Sequence, residues 1–448
     1  MKEELLNVSP IDGRYKELTK ELDSYFSEYA LTKQRVVVEI NWLIFLMDKN
    51  IINVKADINL LKNIINDFNV DDAIKVKEEE AITNHDVKAV EYYLRKKFIS
   101  LNIGQLNPYI HFLLTSEDVN SVAYALLIKE GLNNSYKPHL NNIIDKLDDL
   151  SSTYYNIPML SHTHGQPATP TTVGKEFKVF SYRLKSLLNQ LNKIEIKAKF
   201  SGTVGNYNAH KIAYPHLDWP PLVESFISSL GLSFNPITTQ IEPHDDLCLL
   251  LSIIKIINNV ISDLDNDMWL YISLNYFKEK VVDKEVGSSI MPHKVNPINY
   301  ENSLANCQLS NGLIDALVNN LSISRMQRDL SDSSKLRNIG SVFAYSLIAY
   351  KQTLKGLNKI IVNEEKLSSD LDNNWEVLSE AIQTILRKNG VDDAYEQLKA
   401  LSRGNKIGQK EITDFVKNLE INEEDKNTLL DLLPQKYIGL AENLAKRN

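Results

Sequence analysis

Apolar residues recur three and four positions apart through long stretches that contain neither glycine nor proline. Residues 14–103, 175–201, 244–286 and 357–389 are such stretches, with "VVVEINWLIFLMDKNI" and "FKVFSYRLKSLLNQLNKI" as clear instances. That spacing places the apolar side chains on one face of an α-helix. The 43 residues of 244–286, as one helix at 1.5 Å per residue, would run about 65 Å. A helix of that length needs packed neighbours along its whole course, so the pattern predicts a bundle of long helices. The span is apolar on more than one side, which puts it at the bundle centre, against other subunits as well as its own chain. Strand signals are weak, and only "FNPITTQIEP" suggests a short extended piece. The predicted fold class is all-α, a long central helical bundle flanked by two smaller helical domains. Breaks near "LNIGQLNP" and between Gly356 and Asp370 divide the chain into residues 1–110, 111–362 and 363–448.

Composition adds limits to this picture. The 448 residues are 43% hydrophobic and 24% charged, the balance of an ordinary soluble globular chain. A net charge of −8 gives no overall attraction to nucleic acid or to an anionic membrane. Two cysteines, Cys248 and Cys307, are too few for a disulfide framework and read as buried free thiols of a reducing compartment. The start "MKEELLNVSPIDGRY" lacks the basic-then-apolar layout of a signal peptide. The window "CLLLSIIKIINNVISDL" is interrupted by serine, lysine and asparagine, and reads as a helix buried in protein and too polar to span a bilayer.

Chemistry concentrates in polar islands between the helices. "SPIDGRY" forms a turn followed by Arg14 and Tyr15, a pair able to grip an anion. "TNHDVKAVEYYL" places Thr83 or Asn84 as an N-cap, with His85 and Asp86 at the positive end of a helix. "HFLLTSEDVNS" repeats the design with Thr115 and Ser116; Glu117, Val119 and Asn120 beside them have no reading. "LSHTHGQPATPTTVGKE" holds His162, His164 and Gln166 ahead of a long helix. His-x-His can chelate, but neither a nearby carboxylate or cysteine nor any HExxH completes a metal set, so an imidazole proton donor fits better. "TTQIEPHDD" offers Gln240, Glu242 and His244. "SISRMQRDLSDSSKLRN" interleaves Arg325, Arg328, Lys335 and Arg337 with Ser331, Ser333 and Ser334, which suits either a solvated face or a phosphate site. Walker A, GxGxxG and GxSxG patterns are missing, which removes support for kinase, dehydrogenase and hydrolase readings.

The most unusual stretch is "GSSIMPHKVNPINYENS", residues 287–303, directly after the 244–286 span that has neither glycine nor proline. It fits the GSSxMPxKxNPxxxE loop of the fumarase/aspartase superfamily at every fixed position. "VSPIDGRY", "TNHDVKAVEY", "HFLLTSEDVN", "THGQPATPTTVGKE", "GTVGNYNAH", "TTQIEPHD" and "QRDLSDSSKLRN" further resemble the adenylosuccinate lyases, in the form typical of many bacteria. The resemblance runs from about residue 8 to the end of the chain.

That resemblance implies a cytoplasmic homotetramer whose active sites are each built by three subunits. It also implies release of fumarate from adenylosuccinate, giving AMP, and from the succinylated aminoimidazole carboxamide ribotide SAICAR, giving AICAR, in purine biosynthesis. The implied base is Ser288, with Ser289 second. His164 would be the acid, with Glu301 as its partner. His85 has an orienting and assisting role, and Lys294 and Asn296 stabilise the carbanion. Arg14, Tyr15, Arg328, Ser333 and Arg337 would take phosphate and ribose. Asn84, His85, Asp86 and Gln240 would orient base and sugar, while Thr115, Ser116, Lys294 and Asn296 would hold the carboxylates. No metal or organic cofactor is implied. Two other readings remain open at this point: another fumarate-releasing lyase such as argininosuccinate lyase or aspartase, or a non-catalytic helical scaffold.

Overall fold

A computed structural model of the chain describes residues 4–280, 291, 295–402 and 407–447. Its long helices are α1 (Glu28–Asp48), α2 (Val70–Thr83), α3 (Asp86–Ser100), α4 (Ser116–Gly131) and α5 (Lys137–Thr153). A hairpin follows, β1 (Pro158–Thr163) and β2 (Gln166–Thr172), then α6 (Val173–Leu191) and the two-residue strands β3 (Lys197–Ala198) and β4 (Ser233–Phe234). Next come α7 (Asp245–Ser273), β5 (Phe277–Glu279), α8 (Ile298–Leu321), the short α9 (Ser331–Leu336), α10 (Ile339–Leu357) and β6 (Ile360–Val362). Shorter helices, among them Ser379–Lys388 and Gln409–Lys417, complete the chain. Helices dominate, as the periodicity predicts.

The chain forms two compact units, each assembled from separated segments. Unit 1 comprises residues 1–140, 187–259 and 305–351, and unit 2 comprises 141–186, 260–304 and 352–448. In unit 1 the core gathers Val36, Ile40, Trp42, Val90, Leu94, Val119, Val122, Trp219 and Phe226, none more than 1% exposed. Trp42 packs edge-on against Phe200 and Phe226, and its indole N–H donates to the Phe112 carbonyl oxygen at 2.9 Å. A second, polar seam crosses unit 1. The Asn258 amide on α7 donates to Ser310 of α8 at 3.2 Å and Ser346 of α10 at 3.1 Å, and Tyr350 donates to its oxygen at 2.7 Å. Tyr136 and Tyr350 share a further hydroxyl contact at 2.7 Å. In unit 2 the buried Asp265 of α7 accepts from Thr353 of α10 at 2.9 Å.

Three expectations need correction. The 244–286 span is not one helix: α7 stops at Ser273, and Asn275 takes a left-handed backbone (φ 62°) that turns the chain into β5. The "HTHGQPATPTT" segment is an antiparallel hairpin. Its two-residue turn, His164–Gly165, has both φ values positive, 53° and 73°, which suits the twist of the flanking strands. α7 is also long and apolar enough to cross a membrane by length and composition alone, so polarity does not exclude that. What marks it as a core helix is its packing, with Leu251, Ile254, Ile257, Ile261 and Leu264 buried beside the buried polar Asn258 and Asp265. Both cysteines are buried and neither forms a disulfide among the described residues, as expected.

Candidate active site

Unit 1 contains a pocket of about 580 Å³ lined by fifteen residues from segments more than 200 positions apart. It draws Asn84, His85 and Asp86 from the α2–α3 junction, Ser116 from the start of α4, and Arg328, Ser333 and Arg337 around α9. Each group is placed by local backbone chemistry. Asn84 ends α2 in the left-handed conformation (φ 51°), which asparagine tolerates well. His85, and neither Thr83 nor Asn84, is the N-cap of α3: its Nδ1 accepts the Lys88 backbone N–H at 3.2 Å. An accepting Nδ1 is unprotonated, which leaves the proton of the neutral ring on Nε2 as a donor. Thr115 caps α4, where Asp118 accepts the Thr115 backbone N–H at 2.8 Å, and Ser116 follows on the first helical turn.

The floor of the pocket is a hydrogen-bonded ionic network. Arg35 of α1 is buried; it donates to Asp86 Oδ2 at 2.6 Å and, through Nε, to Asn120 Oδ1 at 2.9 Å. Arg337 approaches the same Asp86 oxygen at 2.9 Å. Burial alone would raise the Asp86 carboxyl, but Arg35, the Val87 amide and Arg337 hold it below its ordinary value. Arg328 donates to Gln240 Oε1 at 2.9 Å and pairs with Glu117 at 2.9 Å. Burial pushes Glu117 above the ordinary carboxylate value, against the pull of Asn120 and Arg328. Guanidinium forks, serine hydroxyls and the first turns of α3 and α4 thus line one pocket, a set that suits a phosphorylated ligand.

A buried ion pair stands behind it. Asp118 Oδ1 accepts Lys199 Nζ at 2.6 Å and the backbone N–H groups of Ser201 and Gly202 at 2.9 and 3.2 Å. It thereby fixes the 201–207 loop, and the Thr203 carbonyl of that loop accepts the Gln240 amide at 2.8 Å. Gly205 must stay glycine there: it has φ 82°, and a Cβ would sit 2.1 Å from the Thr238 carbonyl oxygen.

Other predicted residues lie outside this pocket. Arg14 is exposed and Tyr15 half-buried in the turn leading to the first short helix. His164 is exposed at the hairpin tip in unit 2. Asn296 and Glu301 also belong to unit 2, and Glu301 accepts the Trp269 indole N–H at 3.1 Å. Within one chain Glu301 and His164 form no ion pair among the described residues. Ser288, Ser289, His293 and Lys294 lie outside the described residues. Residues that the sequence reading missed are Arg35, Tyr124, Glu117 and Asn120, all on the pocket wall.

Comparison with known proteins decides the family. The lyase family matches residues 13–309, and the family described as adenylosuccinate lyase C-terminal matches 324–438. The chain is 50% identical to the adenylosuccinate lyase of Buchnera aphidicola subsp. Schizaphis graminum over 98% of both chains. The chain belongs to the adenylosuccinate lyase family. The Escherichia coli K12 member is 46% identical over 98% of this chain and 97% of its own. Two solved structures share the fold: a fumarate lyase from Mesorhizobium sp. BNC1 (TM-score 0.76, 17% identity, 95% and 96% covered) and a 3-carboxy-cis,cis-muconate lactonizing enzyme from Pseudomonas putida (0.75, 18%, 95% of each). Within the adenylosuccinate lyase family, the pocket described here combines motifs from both matched regions: His85 and Ser116 from the first, Arg328 and Arg337 from the second.

Proposed function

We propose that the protein is an adenylosuccinate lyase that cleaves adenylosuccinate to AMP and fumarate, and SAICAR to AICAR and fumarate, in purine biosynthesis. The observation that carries this reading is the pocket in which Arg328, Arg337 and Ser333 converge with Asn84, His85 and Ser116. A succinate-only or amino-acid substrate would have no use for a second anion site of this kind. Arg328, Arg337 and Ser333, with Arg14 and Tyr15, take phosphate and ribose. Asn84, His85, Asp86 and Gln240 orient base and sugar, and Thr115, Ser116, Lys294 and Asn296 hold the carboxylates.

The chemistry is an elimination. Ser288, as alkoxide, takes the proton from the carbon beside a carboxylate, and the electron pair left behind spreads into that carboxylate. Lys294 and Asn296 meet the added charge where it develops. The C–N bond then breaks, and His164, partnered by Glu301, delivers a proton to the leaving nitrogen. No metal is called for, because the substrate carries its own leaving group. His164 sits at a hairpin position that prefers asparagine or glycine, and its left-handed backbone costs on the order of 1 kcal/mol. A functional demand on the imidazole accounts for that choice.

The active unit is a homotetramer, with sites shared between subunits, in the cytoplasm. Exposed apolar residues on the long helices support the assembly: Leu249, Ile256, Trp269 and Leu270 on α7, Leu309 on α8, and Val179 and Tyr182 on α6. The test supplies purified protein with adenylosuccinate, argininosuccinate and aspartate in turn and measures fumarate. Release from adenylosuccinate is expected; release only from one of the others, or from none, overturns the proposal.

A further inference from the structure

Glu117 and Asn120 fall outside every role that the motifs assign, and Arg35 reads in sequence as one polar position of a core helix. The structure joins them. Glu117 Oε1 accepts both the Asn120 amide at 2.8 Å and the Arg328 guanidinium at 2.9 Å, with the Glu117 side chain 6% exposed. Asn120 Oδ1 in turn accepts Arg35 Nε, and Arg35 reaches Asp86. On its other side Arg328 is held by Gln240, whose amide nitrogen is committed to the Thr203 carbonyl. Each amide in this chain uses its oxygen toward one neighbour and its nitrogen toward the other, so neither can flip without losing both bonds.

We infer that Glu117 is a positioning residue: it fixes the Arg328 fork at the phosphate end of the pocket and, through Asn120 and Arg35, ties that fork to the orientation of Asp86. A free arginine side chain samples many rotamers and must be ordered when an anion binds. Glu117 and Gln240 clamp two edges of the guanidinium beforehand, and its remaining N–H bonds face a ligand already ordered. A carboxylate suits this place because the half-buried Arg328 guanidinium, 25% exposed, keeps in Glu117 a charge partner on its buried side when the pocket is empty. The Arg35 bridge lets both sides of the pocket, α1–α3 and α9, move or hold together.

The inference rests on the reading of Arg328 as an anion ligand, and the experiment separates the two. Binding of AMP and of adenosine to the whole enzyme is measured by calorimetry for wild type, Glu117→Gln, Asn120→Ala, Arg328→Ala and the Glu117→Gln/Arg328→Ala double variant. Turnover of adenylosuccinate and thermal stability are followed in parallel. Glu117→Gln is expected to weaken AMP on the order of tenfold, leave adenosine within about twofold, and raise KM with kcat nearly unchanged. Because Glu117 acts through Arg328, the double variant should bind AMP no worse than Arg328→Ala alone. Asn120→Ala should give a smaller loss of the same selectivity, and it serves if Glu117→Gln does not fold. If Arg328→Ala weakens AMP but Glu117→Gln and Asn120→Ala do not, the positioning role is overturned while the anion reading stands. If Arg328→Ala leaves the AMP-to-adenosine ratio unchanged, the anion reading falls and takes the inference with it. Equal loss of AMP and adenosine in Glu117→Gln, or additive losses in the double variant, assigns Glu117 a general structural role and also overturns the inference.

Discussion

Replacing Asp118 with asparagine removes one charge from a pair whose side chains are both 0% exposed. The amide keeps its shape and its oxygen can still accept the Ser201 and Gly202 backbone N–H groups, while its nitrogen replaces the oxygen that accepts the Thr115 N–H at 2.8 Å, so the change removes the charge opposite Lys199 together with that one capping bond. Among the described residues the ammonium retains the Gly202 carbonyl oxygen at 2.7 Å. Breaking one side of a buried pair costs about 3–5 kcal/mol. An independent bound comes from the alternative open to Lys199, which is to lose its proton. Neutralising a lysine of ordinary pKa about 10.4 at pH 7 spans about 3.4 units, or roughly 4.6 kcal/mol. Burial already pushes Lys199 below its ordinary value even with Asp118 present, so the neutral form is within reach and the cost lies below that bound. The expected loss is about 3–4 kcal/mol.

Urea unfolding measures it, read by the fluorescence of Trp42 and Trp219, both fully buried in unit 1. A Trp269→Phe/Trp375→Phe background removes the signal of unit 2, because a chain of this size need not unfold in one step. Adding Lys199→Met to Asp118→Asn deletes both charges and should restore at least half of the loss, since the orphaned ammonium is the costly species. A loss under about 1 kcal/mol for Asp118→Asn, or a double variant no more stable than the single one, would refute this account of the pocket's foundation.

Three further outcomes follow from named residues. His164→Asn suits the left-handed turn at least as well as histidine; it should keep or raise the melting temperature while abolishing turnover, and retained activity would remove His164 as the acid. His111 Nδ1 lies 2.6 Å from Glu39 Oε1; burial would lower the imidazole, but the carboxylate outweighs it and the net shift is upward. The stability from this pair is therefore complete below the ordinary histidine pKa and lost as pH rises through the raised value; Glu39→Gln should flatten that decline in a pH series of urea midpoints. Burial raises Asp265 to about 8 against the pull of the Ser303 and Thr353 hydroxyls, so it is protonated when folded and ionised when unfolded across the interval between about 4 and 8. Stability falls with rising pH over that interval, and Asp265→Asn should remove the slope and be at least as stable as wild type at pH 8.

Much of this was legible in the sequence, for physical reasons. Three-and-four spacing of apolar residues gives the long helices directly, because burial of one stripe is what a helix in a bundle must achieve. Asn84, His85, Asp86, Ser116, Arg328, Ser333 and Arg337 also share one pocket; their motifs pointed to one ligand, although spacing alone could not bring residues 84 and 337 together. The hairpin was hidden because His-Gly is a weak turn signal beside Asn-Gly, and because its strands carry prolines. The stop of α7 at Ser273 was hidden because an asparagine can leave a helix through the left-handed region without any glycine. Arg35 and Glu117 were missed for a different reason. Whether a charged residue in an apolar helix faces solvent or a buried partner depends on what packs against it, and that is a tertiary fact.

The polar seam around Asn258 has a consequence for how well helix ends can be aimed. Greasy surfaces alone tolerate small axial slips, since one leucine can replace another as a neighbour. Here an amide on one rod meets hydroxyls on two others at 3.2, 3.1 and 2.7 Å. Advancing any of the three by a single turn, about 5.4 Å, would strand several dry polar atoms at once. The seam acts as a vernier stop, so side chains carried at the tips of these rods inherit its alignment.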